Sequence, residues 1–296
     1  MRRKTQLLPG SRPLHIWMYG PPGVGKTKAA IQVAKLGRTL FIAVESGVLP
    51  HHFEGIPTEN VVLVGPDTMT DFNIIYEKLR AYQTKCYAWL KNPTDGVREQ
   101  LRLLDEWFLE ESIDPVKYTP RPFLFVVVDT LTDIQKDTIV FQVPRNAKDF
   151  TQTGQMQIQQ WGKSNAMLDM ITDALVLQEH PYEPLRCNTV WISHEKQFFN
   201  DEGQIIKVCP SLSGQNPALL GAKFDIEAYV KLETKAGARI QSMVVQKHGM
   251  YRNYDVKDRT NKLGDTIVDS KAGAGDILVR IMQNCGWLGD NILEKK

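Results

Sequence analysis

Eight consecutive residues constrain this chain more than any other stretch. Gly20, Pro21, Pro22, Gly23, Val24, Gly25, Lys26 and Thr27 fit G-x-x-x-x-G-K-[ST], with the apolar run LHIWMYG leading in and the helix-forming KTKAAIQVAKLG leading out. Glycines let a loop curl until successive backbone N–H groups point inward and make a nest for phosphate oxygens. A helix starting near Gly25 adds the positive end of its dipole. The pattern predicts a strand, a phosphate-binding loop and a helix, in that order. Lys26 is the expected contact to the β- and γ-phosphates and the Thr27 hydroxyl an expected Mg2+ ligand, so ATP and Mg2+ are the predicted cofactors.

Further strand-like runs, RTLFIAVE, NVVLVG, FLFVVVD and NTVWISH, alternate with helical segments and predict an α/β fold with a mostly parallel central sheet. The pattern changes over 71–112. Phe72, Ile75, Tyr76, Leu79 and Tyr82 share one helical face, Leu101, Leu104 and Phe108 another, and NPTDG separates them. A helical insertion over about 66–120 is the reading. Residues 131–150 are ambiguous, and 155–178 read as helical. From QFFNDEGQIIKV onward the chain reads as antiparallel, with IEAYVKLE, RIQSMVVQK and YRNYDVK as strands. This divides the chain into an arm (1–13), a core (14–263) and a C-terminal helix with tail (264–296).

Composition narrows the class. The length of 296 residues suits one large domain with insertions or two small ones. A net charge of +2 is too small to announce a nucleic-acid partner, so any basic surface is local. Cys86, Cys187, Cys209 and Cys285 form no CxxC pair and read as reduced thiols of a cytoplasmic protein. MRRKTQLLPG lacks an apolar signal region, and no run approaches the ~18 apolar residues of a membrane span.

A P-loop alone names no function, so the ends of the other strands decide. Asp129 closes FLFVVVD, where a carboxylate orders Mg2+ through water. The next residue is Thr130, so the Asp-Glu pair typical of AAA+ and many helicase motors, whose Glu activates water, is missing. The base for hydrolysis must then lie elsewhere. Glu45, ending TLFIAVE, is the candidate if that strand lies near the γ-phosphate, as in a RecA-type sheet. The pair His51-His52 reads as loop. HEKQF at 194–198 lacks the second histidine of HExxH, which argues against zinc there.

Together GPPGVGKT, LFIAVESG, LFVVVDT, TVWISHEK and DVKDRTNKL resemble the RecA superfamily, in particular small phage RecA-like single-strand annealing ATPases. The likeness runs from about 14 to 263, leaves 66–120 unmatched, and only the P-loop is specific alone. It implies a RecA-like P-loop core and gives His194 the position of a γ-phosphate sensor, where relatives often carry Gln. It also implies that Lys257 and Arg259 reach the neighbouring subunit's ATP site. Their alternate spacing puts both on one side of an extended segment. The catalytic set is thus Lys26, Glu45, Asp129, His194, Lys257 and Arg259, with Thr27 and Asp129 at the metal.

The resemblance further implies single-stranded DNA at two loops, about 142–165 and 197–222. The first offers Arg145, Lys148, Phe150, Trp161 and Lys163; Lys196, Phe198, Phe199 and Lys207 belong to the second. Cations that follow phosphates and rings that stack on bases are what sequence-tolerant binding needs. The expected protein is an ATP-dependent, DNA-binding recombination or annealing ATPase. It would be a homo-oligomer (filament or ring) without a membrane partner, a single-strand binding protein being a further candidate partner. Its place would be the cytoplasm, the host's if the chain is phage-encoded. Two alternatives stay open: a nucleotide-dependent regulator or phosphotransferase without DNA binding, and a scaffold without turnover. A kinase lid would be arginine-rich, and 66–120 holds only Arg80, Arg98 and Arg102.

Overall fold

A parallel strand buried on both faces needs apolar residues throughout, and the first strand, β1 (His15–Gly20), is buried at all six positions. In the computed structural model, which describes residues 13–45, 48–142, 158–176, 187–213, 216–235, 237–268 and 276–286, β1 lies near the middle of one large sheet. The P-loop and α1 (Lys26–Ile31) follow, then β2 (Thr39–Ala43), β3 (Val61–Val64), α2 (Met69–Lys91) and α3 (Asp95–Leu109). Next come β4 (Phe125–Asp129), α4 (Leu131–Gln142), α5 (Ile158–Val176), β5 (Asn188–Phe199), β6 (Ile205–Pro210) and α6 (Asn216–Gly221). β7 (Ile226–Lys235), β8 (Ala238–Val244), β9 (Lys257–Asp258), β10 (Thr266–Val268) and α7 (Ile277–Asn284) complete the order.

The sheet runs β10-β8-β7-β1-β5-β4-β2-β3, with β6 added to β5 and β9 to β7. β7, β1, β5, β4, β2 and β3 are parallel, whereas β8, β10, β6 and β9 pair antiparallel. The α/β fold with a parallel centre and antiparallel C-terminal strands is the one the sequence predicts. Alternate residues of each strand serve opposite faces. Ile16 and Met18 join Ala30, Val33 and Ile281 in one core, while Trp17 joins Leu40, Val126, Trp191 and Phe224 in the other.

The helices over 66–120 close the second core. α2 starts at Thr68, whose side chain accepts from the Asp71 N–H, and α3 starts at Thr94, which accepts from the Val97 N–H. Phe72, Ile75, Leu79, Tyr82, Leu101 and Phe108 are buried against the sheet. Their attachment is polar too. Arg38, at the foot of β2, is 6% exposed, pairs with Asp105 of α3 and donates to the Tyr82 hydroxyl (2.6 Å) and the Arg121 carbonyl (2.8 Å).

Three expectations need correction. YRNYDVK is mostly not a strand: Gly249–Tyr251 forms a 3-10 turn and β9 holds only two residues, because Tyr251 and Tyr254 fold onto Tyr229 in an aromatic cluster. The strand carrying His194 does not end there. It runs on to Phe199 and exchanges its neighbour β1 for β6. Beyond 263 the chain adds β10 alongside β8 before α7, which buries Ile277, Leu278, Ile281 and Met282.

Candidate functional site

Gly20 ends β1 so close to β7 that a Cβ there would lie 2.3 Å from the Val230 carbonyl oxygen. Gly23 and Gly25 adopt φ of 76° and 83°, left-handed values that side chains resist. The loop so formed hands over to α1 at Lys26. Lys26 is 7% exposed, and its ammonium donates to the Gly20 and Pro21 carbonyls at 2.8 Å each. Burial lowers its pKa, while Asp129, Glu45 and Glu195 work in the opposite direction. The cation thus rests on the loop's own carbonyls, within the cradle that anionic oxygens would enter.

Thr27 Oγ1 donates to Asp129 Oδ2 at 2.7 Å, so the predicted metal residues are in contact. Asp129 is 3% exposed, and its Oδ1 is buried with no partner. Burial pushes its pKa up to about 6, against the Thr27 hydrogen bond and with Glu45 adding to the rise. A buried carboxylate with one orphaned oxygen beside a hydroxyl is an all-oxygen set that fits Mg2+.

The fold then brings Glu45 and His194 to the same place. Ala43 pairs with Asp129 across β2 and β4, and the N–H groups of Val44 and Glu45 both donate to the Asp129 carbonyl (2.7 and 3.1 Å). His194 is the register partner of Gly20 and stands level with the start of the loop. Its N–H donates to Thr132 Oγ1 (3.1 Å), and its Nε2 lies 3.7 Å from Glu45 Oε2. A cleft of about 940 Å³ opens beside Glu45, with Leu63, Asp67, Asp71, Trp107 and Glu110 in its wall and no lysine or arginine lining it among the described residues. Water therefore reaches this carboxylate.

Lys257 and Arg259 are not brought to this site within the chain. β9 pairs with β7 at Glu227↔Lys257 and Ile226↔Asp258, and Ile226 aligns with Ile16, at the other end of β1 from Gly20. Both cations cap α6: Lys257 donates to the Gly221 carbonyl and Arg259 to the Ala222 carbonyl (2.7 Å). Of the residues proposed for DNA, Arg145, Lys148, Phe150 and the Trp161 side chain lie outside the described residues. Lys163 is exposed on α5. Phe198 and Phe199 are 39% and 55% exposed on the β5–β6 hairpin, with Lys196 5.0 Å above the Phe198 ring and Lys207 paired to Asp255 (3.0 Å).

Three contributors escaped the sequence reading. Gln241 of β8 donates through Nε2 to the Val24 carbonyl (2.6 Å) and so supports the P-loop. Thr132 fixes the His194 backbone, and Asp133 joins Glu45 and His194. No local pattern marks Gln241, because it meets the loop only through the pairing of β8 and β7 beside β1.

A family model described as an AAA domain (AAA_24) matches residues 12–260. Among curated proteins no sequence matches. The flagellar accessory protein FlaH from Methanocaldococcus jannaschii is similar in structure at 9% identity and a TM-score of 0.36, covering 88% of this chain and 84% of its own. The KaiC-like protein PH0186 from Pyrococcus horikoshii OT3 is similar at 11% identity and a TM-score of 0.40, covering 84% of this chain and 91% of its own. Among the described residues no helix is long and apolar enough to cross a membrane.

Proposed function

This chain belongs to the AAA_24 family of AAA domains, and from that premise we propose that it is an oligomeric, ATP-hydrolysing protein that binds single-stranded DNA and promotes annealing or recombination. One observation carries the reading. The strand that sets His194 level with the P-loop continues into a hairpin in which Phe198 and Phe199, the strand residues just before the turn, are exposed, with Ile205 and Ile206 exposed on its second strand. A change at the phosphate end is transmitted along one rigid strand to a ring-bearing surface suited to stacking on bases.

In this reading the P-loop N–H groups and Lys26 hold the triphosphate, and Lys26 leaves the Gly20 and Pro21 carbonyls for its oxygens. Thr27 and Asp129 are the residues that would hold Mg2+, which supplies charge neutralisation to the phosphates when bound. Thr130 follows Asp129, so Glu45 takes the proton from the attacking water. Its carboxylate is 46% exposed, and the Asp129 carbonyl fixes its backbone. His194, beside Glu45, reports whether the γ-phosphate is present. Lys257 and Arg259 act in the neighbouring subunit's site, which requires Lys257 to leave the Gly221 carbonyl.

The test is ATP turnover with and without single-stranded DNA, together with anisotropy of a labelled oligonucleotide at low salt in Mg2+-ATP. DNA should stimulate turnover. Phe199→Ala should weaken binding by about 1–3 kcal/mol, the worth of one base–aromatic stack. No binding in ATP at low salt overturns the DNA role and leaves the nucleotide-dependent regulator.

A further inference from the structure

Side chains from three separate elements converge next to the P-loop. Glu45 follows β2, Asp133 lies in the first turn of α4 and His194 sits on β5, and one ligand atom from each lies within 4.8 Å of the other two. The 3.7 Å between His194 Nε2 and Glu45 Oε2 is too long for a direct hydrogen bond. It is close to the spacing of two ligands on one ion, since tetrahedral ligands held at about 2.1 Å are about 3.4 Å apart. His194 Nδ1 is buried without a partner, so no hydrogen bond to protein fixes the ring's tautomer. Asp133, in contrast, is held firmly. Its Oδ2 accepts from Thr130 Oγ1 (2.5 Å) and its Oδ1 from Lys136, the kind of support that orients a metal-binding carboxylate.

We propose that Glu45, Asp133 and His194 bind a divalent transition-metal ion of the Zn2+ or Co2+ class, at a position separate from the Mg2+ position of Thr27 and Asp129. An imidazole with two carboxylates suits such ions, whereas Mg2+ takes oxygen ligands alone. The spacing within HEKQF gives no hint of this set, because the fold gathers it from segments nearly 150 residues apart, from 45 to 194. A bound ion draws on one oxygen of the carboxylate with which Glu45 would accept a proton from water, makes it a weaker base and so slows hydrolysis. This consequence rests on the role proposed for Glu45; the binding itself does not.

The full-length, nucleotide-free protein is titrated with CoCl2 in the absence of Mg2+, reading visible d–d absorption and calorimetric stoichiometry. One equivalent should bind. His194→Ala and, independently, the exposed Glu45→Gln should each lower affinity by at least the roughly 10–100-fold that losing an outer-shell partner costs. Thr27→Ala should bind as the parent does. Equal binding by the parent and both ligand variants, dependence on Thr27 instead, or no bound equivalent overturns the site. Turnover of Mg2+-ATP with and without Co2+ separates the two readings. Binding without inhibition keeps the metal site and removes Glu45 as the base. Turnover that depends on Glu45 but shows no Co2+ uptake keeps the ATPase reading and removes the metal site.

Discussion

Glu227 on β7 is 6% exposed, and its Oε1 has no hydrogen-bond partner. Burial raises its pKa well above the ordinary carboxylate range; Lys257, its register partner, pulls the other way, as do Lys207 and Lys247, while Asp255 adds to the rise. A carboxyl whose folded-state pKa lies above its unfolded value stabilises the fold fully at acid pH, below the unfolded pKa. That contribution is lost as pH rises through the folded pKa, because the native state holds a proton that the unfolded chain has released. Glu227→Gln removes the titration. Urea unfolding of the variant should show a shallower loss of stability from mildly acidic to mildly alkaline buffer. At the alkaline end the variant should be the more stable protein, by about 1–3 kcal/mol, the order of one unsatisfied buried polar group. Parallel pH profiles for the two proteins would mean that Lys257 keeps Glu227 ionised throughout. The same residue bears on the proposed function, since Glu227 pairs with Lys257, the cation proposed to act in a neighbouring subunit's site.

Helices α2 and α3 stay on the sheet through apolar packing and through one buried ion pair, Arg38–Asp105, with Tyr82 and Tyr118 both donating to Asp105 Oδ2 (2.9 and 2.6 Å). Asp105→Ala leaves a cation that is 6% exposed without its counter-charge, and should cost about 3–5 kcal/mol in urea unfolding. Arg38→Met with Asp105→Leu should recover most of that loss, because the stranded charge is gone; a double variant no more stable than the single would show that the pair itself stabilises the fold. The apolar half of this attachment is legible in the sequence, since Phe72, Ile75, Leu79 and Tyr82 repeat at helical spacing and are the residues that pack inward. The polar half is not, because residues 38 and 105 meet only after β2, β3 and both helices are in place. The site divides along the same line. Gly23, Gly25 and the strand-closing Asp129 are visible because backbone geometry and burial restrict which residues can stand there. Gln241 and Asp133 are invisible, being ordinary polar residues placed by long-range pairing. YRNYDVK misled because Tyr251 and Tyr254, three residues apart, serve an aromatic cluster rather than a strand.

At the scale of the molecule, the position of Lys257 and Arg259 decides how an assembled site could work. They align with the start of β1, while the P-loop leaves from its end. Lys257 stands level with Trp17 through Glu227, and the three steps from Trp17 to Gly20 amount to about 10 Å at 3.3 Å per residue, further than a lysine side chain extends. Any part these cations take in hydrolysis is therefore played in another copy's site, across a head-to-tail interface. In such an arrangement each site takes Lys26 and Glu45 from one protomer and the basic pair from the next. Lys257→Ala assemblies lack the pair at every site, Glu45→Gln assemblies lack the base at every site, and each should turn over about 10²–10³-fold more slowly than the parent. Mixed in equal amounts, about a quarter of the interfaces join an intact Glu45 to an intact Lys257, so turnover should return to about a quarter of the parent's. Steady-state ATPase of the two variants, alone and after co-assembly, reads this directly. A mixture no faster than its components, with both variants folded and assembling, would confine hydrolysis to single protomers and reduce Lys257 and Arg259 to the caps of α6 that they form in the isolated chain.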